Sequence, residues 1–376
     1  MRPASEAERG RLNETFAALC RIQSPFGHER ACMEAVAEQL RGMGLAAEMD
    51  DAAAAAGADC GNLLARIPGR GSRVVLLCAH VDTVPADAPV EPVVVDGGWE
   101  NANDGILGAD NKAAVAVMLE VARRASIEGS PVGIELLFTV SEENALAGAK
   151  AFDLSRLTAD FGYVFDHATP IGEIVVASPT YYRIEAHFHG AAAHAGIRPE
   201  DGRSAVRAAA HAIVAMPDGR LDEETTANVA SVRGGAAGTN VVPEHCRVLA
   251  ETRSLDPVKV EEVVARMVDA VHDAAAAAEC DADLTCEKLF SGYRTRGTAP
   301  AVVAAEAALR ECGYEPRRIT TGGGSDANVF EAAGLSCVNL ANGTERNHQP
   351  DERVSTAALE GMLDVTFALL AAAAEG

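Results

Sequence analysis

Four stretches of the chain are almost wholly apolar, and each runs into a charged or polar residue. RVVLLCA (73–79) meets His80, IELLFTV (134–140) meets Glu142-Glu143, GYVF (162–165) meets Asp166, and GLSCVNL (334–340) opens into a polar loop. Short continuous apolar runs suit central strands of a largely parallel sheet, buried on both faces. GNLLARI (61–67) reads as one more strand, and the Ala-rich DDAAAAAGAD before it as a linker. Between the runs the period changes from strand to helix. Residues 6–21, 29–43 and 112–125 carry apolar positions at helical spacing, with Cys32, Met33, Val36, Ala37 and Leu40 forming one face of the second. Strands alternating with helices predict an α/β fold with a mostly parallel sheet.

From about 178 to 292 the pattern differs. TYYRIEAHFHG alternates strictly, with Tyr182, Ile184, Ala186 and Phe188 on one face and Arg183, Glu185, His187 and His189 on the other. That is a half-buried strand of an antiparallel sheet. A helix (202–216), two strand-like runs (ANVASVRGG and NVVPEHCRVLAETRS), a long helix opening at Asp256-Pro257 and the strand DLTCEKLF follow. Asp at the N-cap with Pro at N1 is a helix start signal. The order βαββαβ matches a ferredoxin-like α+β domain. The chain therefore reads as a catalytic-type α/β domain in two parts, 1–177 and 293–376, interrupted by an inserted domain at 178–292.

Composition narrows the function. The chain has 376 residues, enough for two or three domains, and 48% hydrophobic residues exclude a disordered chain. A net charge of −23 argues against nucleic acid or an anionic membrane as partner. Nine scattered cysteines without a CxxC pair point to a reducing compartment and away from disulfide frameworks and cysteine-rich zinc modules. The charged N-terminus shows no apolar leader, and no uncharged apolar run reaches about 18 residues. A cytoplasmic protein without a membrane span is expected.

In parallel α/β sheets, ligands gather outside the carboxyl ends of the strands. Those ends carry His80 and Asp82, Glu142 and Glu143, Asp166 and, in the loop after the last strand, His348; Asp110 opens the helix after DGILGADNK. Three carboxylates and two imidazoles suit a pair of divalent ions, Zn(II), Mn(II) or Co(II). Asp110, Glu143 and Asp166 bring three negative charges against four positive ones, and a hydroxide closes the balance. Without cations such an acidic cluster repels itself and takes up protons.

AHVDTVP, GADNKAAVAVMLE, FTVSEE, VFDH and GTERNHQ, in this order, resemble the dinuclear metallopeptidases of the peptidase T, glutamate carboxypeptidase and succinyl-diaminopimelate desuccinylase family, most of all its peptidase T-like branch. The resemblance spans nearly the whole chain, including AAAHAGIRPEDGRSAV and GTNVVPE in the insertion. It implies that His80 and Asp166 bind one metal, that Glu143 and His348 bind the other, and that Asp110 bridges them. The most expected cofactor is a pair of Zn(II) ions, with Co(II) or Mn(II) as substitutes. Asp82 would orient His80. Glu142 would be the general base, taking a proton from the metal-bridging water and returning it to the leaving amine. A non-proline cis peptide is implied after Asp110.

In the insertion, the resemblance implies a lid and dimerisation domain. His194 would reach the partner subunit's active site and stabilise the oxyanion, Asn240 would contact the same oxygen or the substrate carboxylate, and Arg253 would hold a substrate carboxylate. The expected enzyme is a homodimeric aminopeptidase acting on di- or tripeptides. Its rivals are a deacylase of N-acyl amino acids using the same centre and a non-catalytic binding protein retaining the fold. One departure concerns specificity. Thr321-Gly322 stands where peptidase T has an arginine before its Gly-rich loop, so one source of terminal-carboxylate recognition is missing. The loop also lacks the Lys-Ser/Thr ending of a phosphate loop. His167 reads as structural, while His187 and His189 read as solvated.

Overall fold

A computed structural model describes residues 2–235 and 237–375. It divides into two compact units, Met1–Ala177 with Arg294–Gly376, and Ser178–Tyr293. The first is built on a nine-stranded mixed sheet. Its four central strands, Gly133–Thr139, Val74–His80, Phe161–His167 and Cys337–Ala341, are neighbours in that order and mutually parallel. They are the four apolar runs of the sequence. Ala47–Met49, Leu63–Ile67 and Glu173–Ser178 flank them in antiparallel pairings. Glu135 interrupts one buried strand, and its carboxylate is satisfied by the Thr158 and Ala159 amides, the Thr158 hydroxyl and Arg66. A buried charge is tolerable only when paired in this way.

The helices Glu6–Cys20, Ala109–Glu128, Pro300–Glu311 and Thr356–Glu375 pack around this core. Thr356–Glu375 is long and apolar enough, by length and composition, to cross a membrane, yet most of it is buried in the unit. Its Glu360 and Asp364 pair with Arg9 at 3.0 and 2.5 Å. The Ala-rich stretch expected as a linker holds a short helix, Ala53–Ala56, closed by Gly57 at φ 68°. High alanine propensity and a left-handed glycine at the C-terminal end account for it.

A second, four-stranded sheet was not foreseen. Its strands are Thr344–Glu345, Arg353–Ser355, Gly98–Asn101 and Pro92–Val95, all antiparallel. The Pro92–Val95 hairpin turns on Asp96 and Gly97 at φ 47° and 74°, the left-handed pair that two-residue hairpins require. This sheet anchors both ends of the segment that carries His348.

The second unit is a five-stranded antiparallel sheet ordered Gly219–Arg220, Thr225–Gly234, His245–Ser254, Thr180–His189, Asp281–Phe290. With the helices Ala205–Ala215 and Pro257–Ala277 this is the βαββαβ arrangement, its four long strands ordered 2-3-1-4. Tyr182, Ile184, Ala186 and Phe188 face the helices in one core, as the alternation requires. Asp256 caps the long helix by accepting from Val258 and Lys259.

Close backbone approach fixes one glycine beside the Glu142-Glu143 turn. Asn62 joins the Val140 amide to the Gly148 carbonyl at 3.1 and 3.0 Å, and a Cβ on Gly148 would overlap the Val140 carbonyl oxygen. Gly148→Ala is expected to cost about 1–3 kcal/mol, as overpacking does. Denaturant unfolding measures this, and an unchanged midpoint would contradict the packing described.

Candidate metal centre

Parallel pairing aligns the strand ends. His80 sits opposite Thr139, and Cys78 opposite Val164, so His80, the Glu142-Glu143 turn and Asp166 emerge at one edge. His80 is buried, with Nδ1 3.0 Å from the main-chain carbonyl of Asp82. A carbonyl only accepts, so Nδ1 carries the proton and Nε2 is the nitrogen able to ligate a cation. That Nε2 lies 3.3 Å from Asp110 Oδ1 and 3.3 Å from Asp166 Oδ1. The Asp82 carboxylate, expected on His80, stands 3.5 Å from the ring and instead accepts from the amides of Glu142 and Glu143 at 3.0 Å each. One residue thus orients the imidazole with its main chain and the acidic turn with its side chain.

Asp110 faces both ways. While Oδ1 meets His80, Oδ2 lies 3.4 Å from His348 Nε2, which is 2.7 Å from Glu143 Oε1. Two triads result, His80–Asp110–Asp166 and His348–Asp110–Glu143, sharing one carboxylate. Glu142 lies in reach of the first, its carboxylate clustering with His80 and Asp166 within 4.8 Å. The turns that present these groups use uncommon backbone, with Ser141, Ala145, Leu146, Arg346 and His348 at φ between 49° and 65°. Non-glycine residues in that region concentrate at functional sites. The Asp110–Asn111 peptide is cis.

The donor set fits two small divalent ions. Corners of a tetrahedron with bonds of about 2.0–2.1 Å lie about 3.3 Å apart, close to three of the four triad distances; the fourth is a direct His348–Glu143 hydrogen bond. Asp110 Oδ1 is buried and accepts no hydrogen bond, which a bound cation would remedy. Without cations the cluster holds protons. Burial and the Asp110 charge push Asp166 up to about 8, and burial and the Asp166 charge push Glu142 well above the carboxylate range. Burial also raises Glu143. Bonds to Asp110 and Glu143 raise His348 to about 10. Burial opposes a charged His80, but the Asp166 charge and the nearby Asp110 and Asp82 carboxylates outweigh it and lift the ring well above its usual value. Asp110 is held low by the two histidines against the opposing effect of burial.

Several supporting residues escaped the sequence reading. Asn339 clamps the Asp166 backbone from both sides, at 2.8 and 3.0 Å. Asn342 joins Asn111 to the Phe165 carbonyl, and Asn347 donates to Asp110 Oδ2 at 2.9 Å. Glu29 accepts from the amide and hydroxyl of Ser141. Glu352 accepts from three amides of the Asp110 loop. The only trace of these in sequence is an asparagine inside an apolar strand run. His167 pairs with Glu173 at 3.3 Å, and His187 and His189 pair with Glu185 and Asp283 on the polar sheet face.

In the second unit, His194 bridges to Val241, and the Ala195 amide donates to the Asn240 carbonyl at 2.9 Å. The two candidates therefore sit side by side on exposed loops. His194 Nδ1 accepts from the Gly196 amide, which leaves the proton on Nε2. Arg253 stacks on Tyr181 at 4.1 Å and pairs with Glu251 through Nε and a terminal nitrogen at 3.2 and 3.3 Å. Its guanidinium is thus already matched by a carboxylate of its own strand.

Comparison with known proteins places the chain among peptidases. Residues 180–279 match the peptidase dimerisation domain of the M20 peptidases, and residues 62–169 match peptidase family M28. The chain is 37% identical over 367 residues to the uncharacterized protein YqjE of Bacillus subtilis, covering 97% of this chain and 99% of that one. Aminopeptidase PepT from Bacillus cereus superposes with a TM-score of 0.87 at 36% identity, over 97% of this chain and 99% of its own. A Staphylococcus aureus tripeptidase gives 0.91 at 33% identity, over 98% and 99%.

The raised values of Asp166 and His348 fix the sign of a pH effect. Below these values the groups hold protons that an ion bound by them would have to expel, so the expected affinity rises as pH climbs through about 8 and 10. Calorimetric titration with a divalent ion, in buffers of different ionisation enthalpy, is expected to show net proton release between about pH 7 and 9. Affinity independent of pH, or proton uptake, would contradict this.

Proposed function

The chain belongs to the M20 family of metallopeptidases, on its peptidase T-like branch, and from that premise we propose that it removes N-terminal residues from short peptides at the centre built around Asp110. The observation that carries the proposal is that each Asp110 oxygen lies within 3.4 Å of a histidine, His80 beside Asp166 on one side and His348 beside Glu143 on the other, with Glu142 clustered with His80 and Asp166. His80, Asp110 and Asp166 would hold one ion, and Asp110, Glu143 and His348 the other. Zn(II) suits this mixture of imidazole and carboxylate best, and Co(II) or Mn(II) can replace it. When bound, the ions polarise the scissile carbonyl and acidify the attacking water.

The protein's own groups supply the rest. Glu142 is the general base: it takes one proton from water as the new C–O bond forms and delivers it to the nitrogen as the C–N bond breaks. Asp82 fixes that base through the paired amides of Glu142 and Glu143. His194, with its proton on Nε2, and the adjacent Asn240 are suited to donate to the developing oxyanion. Arg253, paired with Glu251, is the candidate to hold a substrate carboxylate.

The dimerisation-domain match supports a homodimer formed through the second unit. There, among the described residues, the strand Thr225–Gly234 is bordered on its outer side only by the two-residue strand Gly219–Arg220. All nine cysteines are free, in keeping with a reducing, cytoplasmic setting.

Replacing the base tests the proposal. For Glu142→Ala, metal content is expected to match wild type while turnover of di- and tripeptides falls about 10²–10⁴-fold. Near-normal turnover would exclude Glu142 as base. A metal-loaded wild-type enzyme that cleaves N-acyl amino acids and no peptide with a free N-terminus would replace the peptidase reading with a deacylase.

A further inference from the structure

Asp110 is the carboxylate that faces both histidines, whereas Asp166 and Glu143 each face one. Its position depends on the loop that ends in Gly108, at φ 75°. Three amides of this loop converge on one buried side chain. Leu107 and Gly108 donate to Glu352 Oε2 at 2.9 and 2.7 Å, and Asp110 donates to Glu352 Oε1 at 2.9 Å. Glu352 is 2% exposed. Its backbone is fixed on both sides. The Glu352 amide closes a turn onto Gln349, whose amide bonds to Arg346, and the strand Arg353–Ser355 pairs with Gly98–Asn101. The same turn delivers Asn347 and His348 to Asp110 Oδ2.

We infer that Glu352 is the positioning residue of the shared carboxylate: it sets the loop so that each Asp110 oxygen meets one triad, and binding of both ions depends on it. A carboxylate is suited to this because it only accepts, and every donor it meets is a backbone amide. An amide side chain in its place would turn an N–H₂ group toward at least one of these donors. Because Asp110 serves both triads, loosening its loop weakens both sites together. Partners that orient metal ligands from behind are commonly worth 10–100-fold in affinity. This inference rests on the metal-centre reading above.

The test compares Glu352→Gln with the wild-type full-length enzyme by chelator competition with Zn(II), alongside thermal unfolding with and without the metal. The expected result is affinity reduced 10–100-fold for both ions in parallel. The metal-free melting temperature should fall by less than the metal-bound one, so that the metal-induced rise shrinks, and kcat should return at excess Zn(II) with KM unchanged. Glu352→Asp, which keeps both oxygens one methylene shorter, carries the test if the Gln variant does not fold, with the same parallel loss expected. Two ions bound with wild-type affinity would overturn the inference, as would loss of one ion alone or an equal fall in both melting temperatures. If wild type itself binds no ion, the metal-centre reading fails instead.

Discussion

Crowding of carboxylates at one buried sheet edge is the constraint that the rest of the structure serves. Asp82 and Asp110, both buried, converge there with the half-buried Glu142, Glu143 and Asp166. Such a cluster must take up protons or cations. The geometry favours cations: the carboxylates spread around two imidazoles, with Asp110 offering one oxygen to each, instead of pairing with lysine or arginine. The net charge of −23 looks different in this light. Five of the 55 acidic residues make up this cluster, and the charge as a whole says little about the substrate.

Holding those acids in place requires groups whose polar atoms are engaged by backbone amides and hydroxyls behind the site. Each turn at the edge is tied from behind by a side chain from a distant part of the chain. Glu29 and Asp82 hold the Glu142-Glu143 turn, Asn339 holds Asp166, and Glu352 holds the Asp110 loop. The left-handed backbone at Ser141 is held by Glu29, which takes both its amide and its hydroxyl. The parallel sheet then sets the separation between turns, since its register brings three strand ends to one level. Fold and site are in this sense one construction.

Much of this was legible in the sequence, for physical reasons. Strands buried on both faces must be apolar throughout, so the four central strands stood out, and a polar residue ending such a run can only lie at the sheet edge. Strict alternation at Tyr182–Phe188 likewise revealed a one-sided sheet. The ties were illegible. A carboxylate that accepts backbone amides has no period and no fixed partner, and Glu352 reaches a loop 242 to 245 residues away. The four-stranded sheet was missed because its strands are two to four residues long, too short for a pattern to register. The Glu251–Arg253 pair was visible in principle: residues two apart on a strand share a face.

Metal stoichiometry tests the central claim most directly. The chain, stripped of metal, reloaded with Zn(II) and freed of excess, is analysed for metal and protein together. Asp110 can bridge only if both triads fill, so the account predicts two ions per chain. A single ion, or none after reloading with Zn(II), Co(II) and Mn(II) in turn, would contradict it.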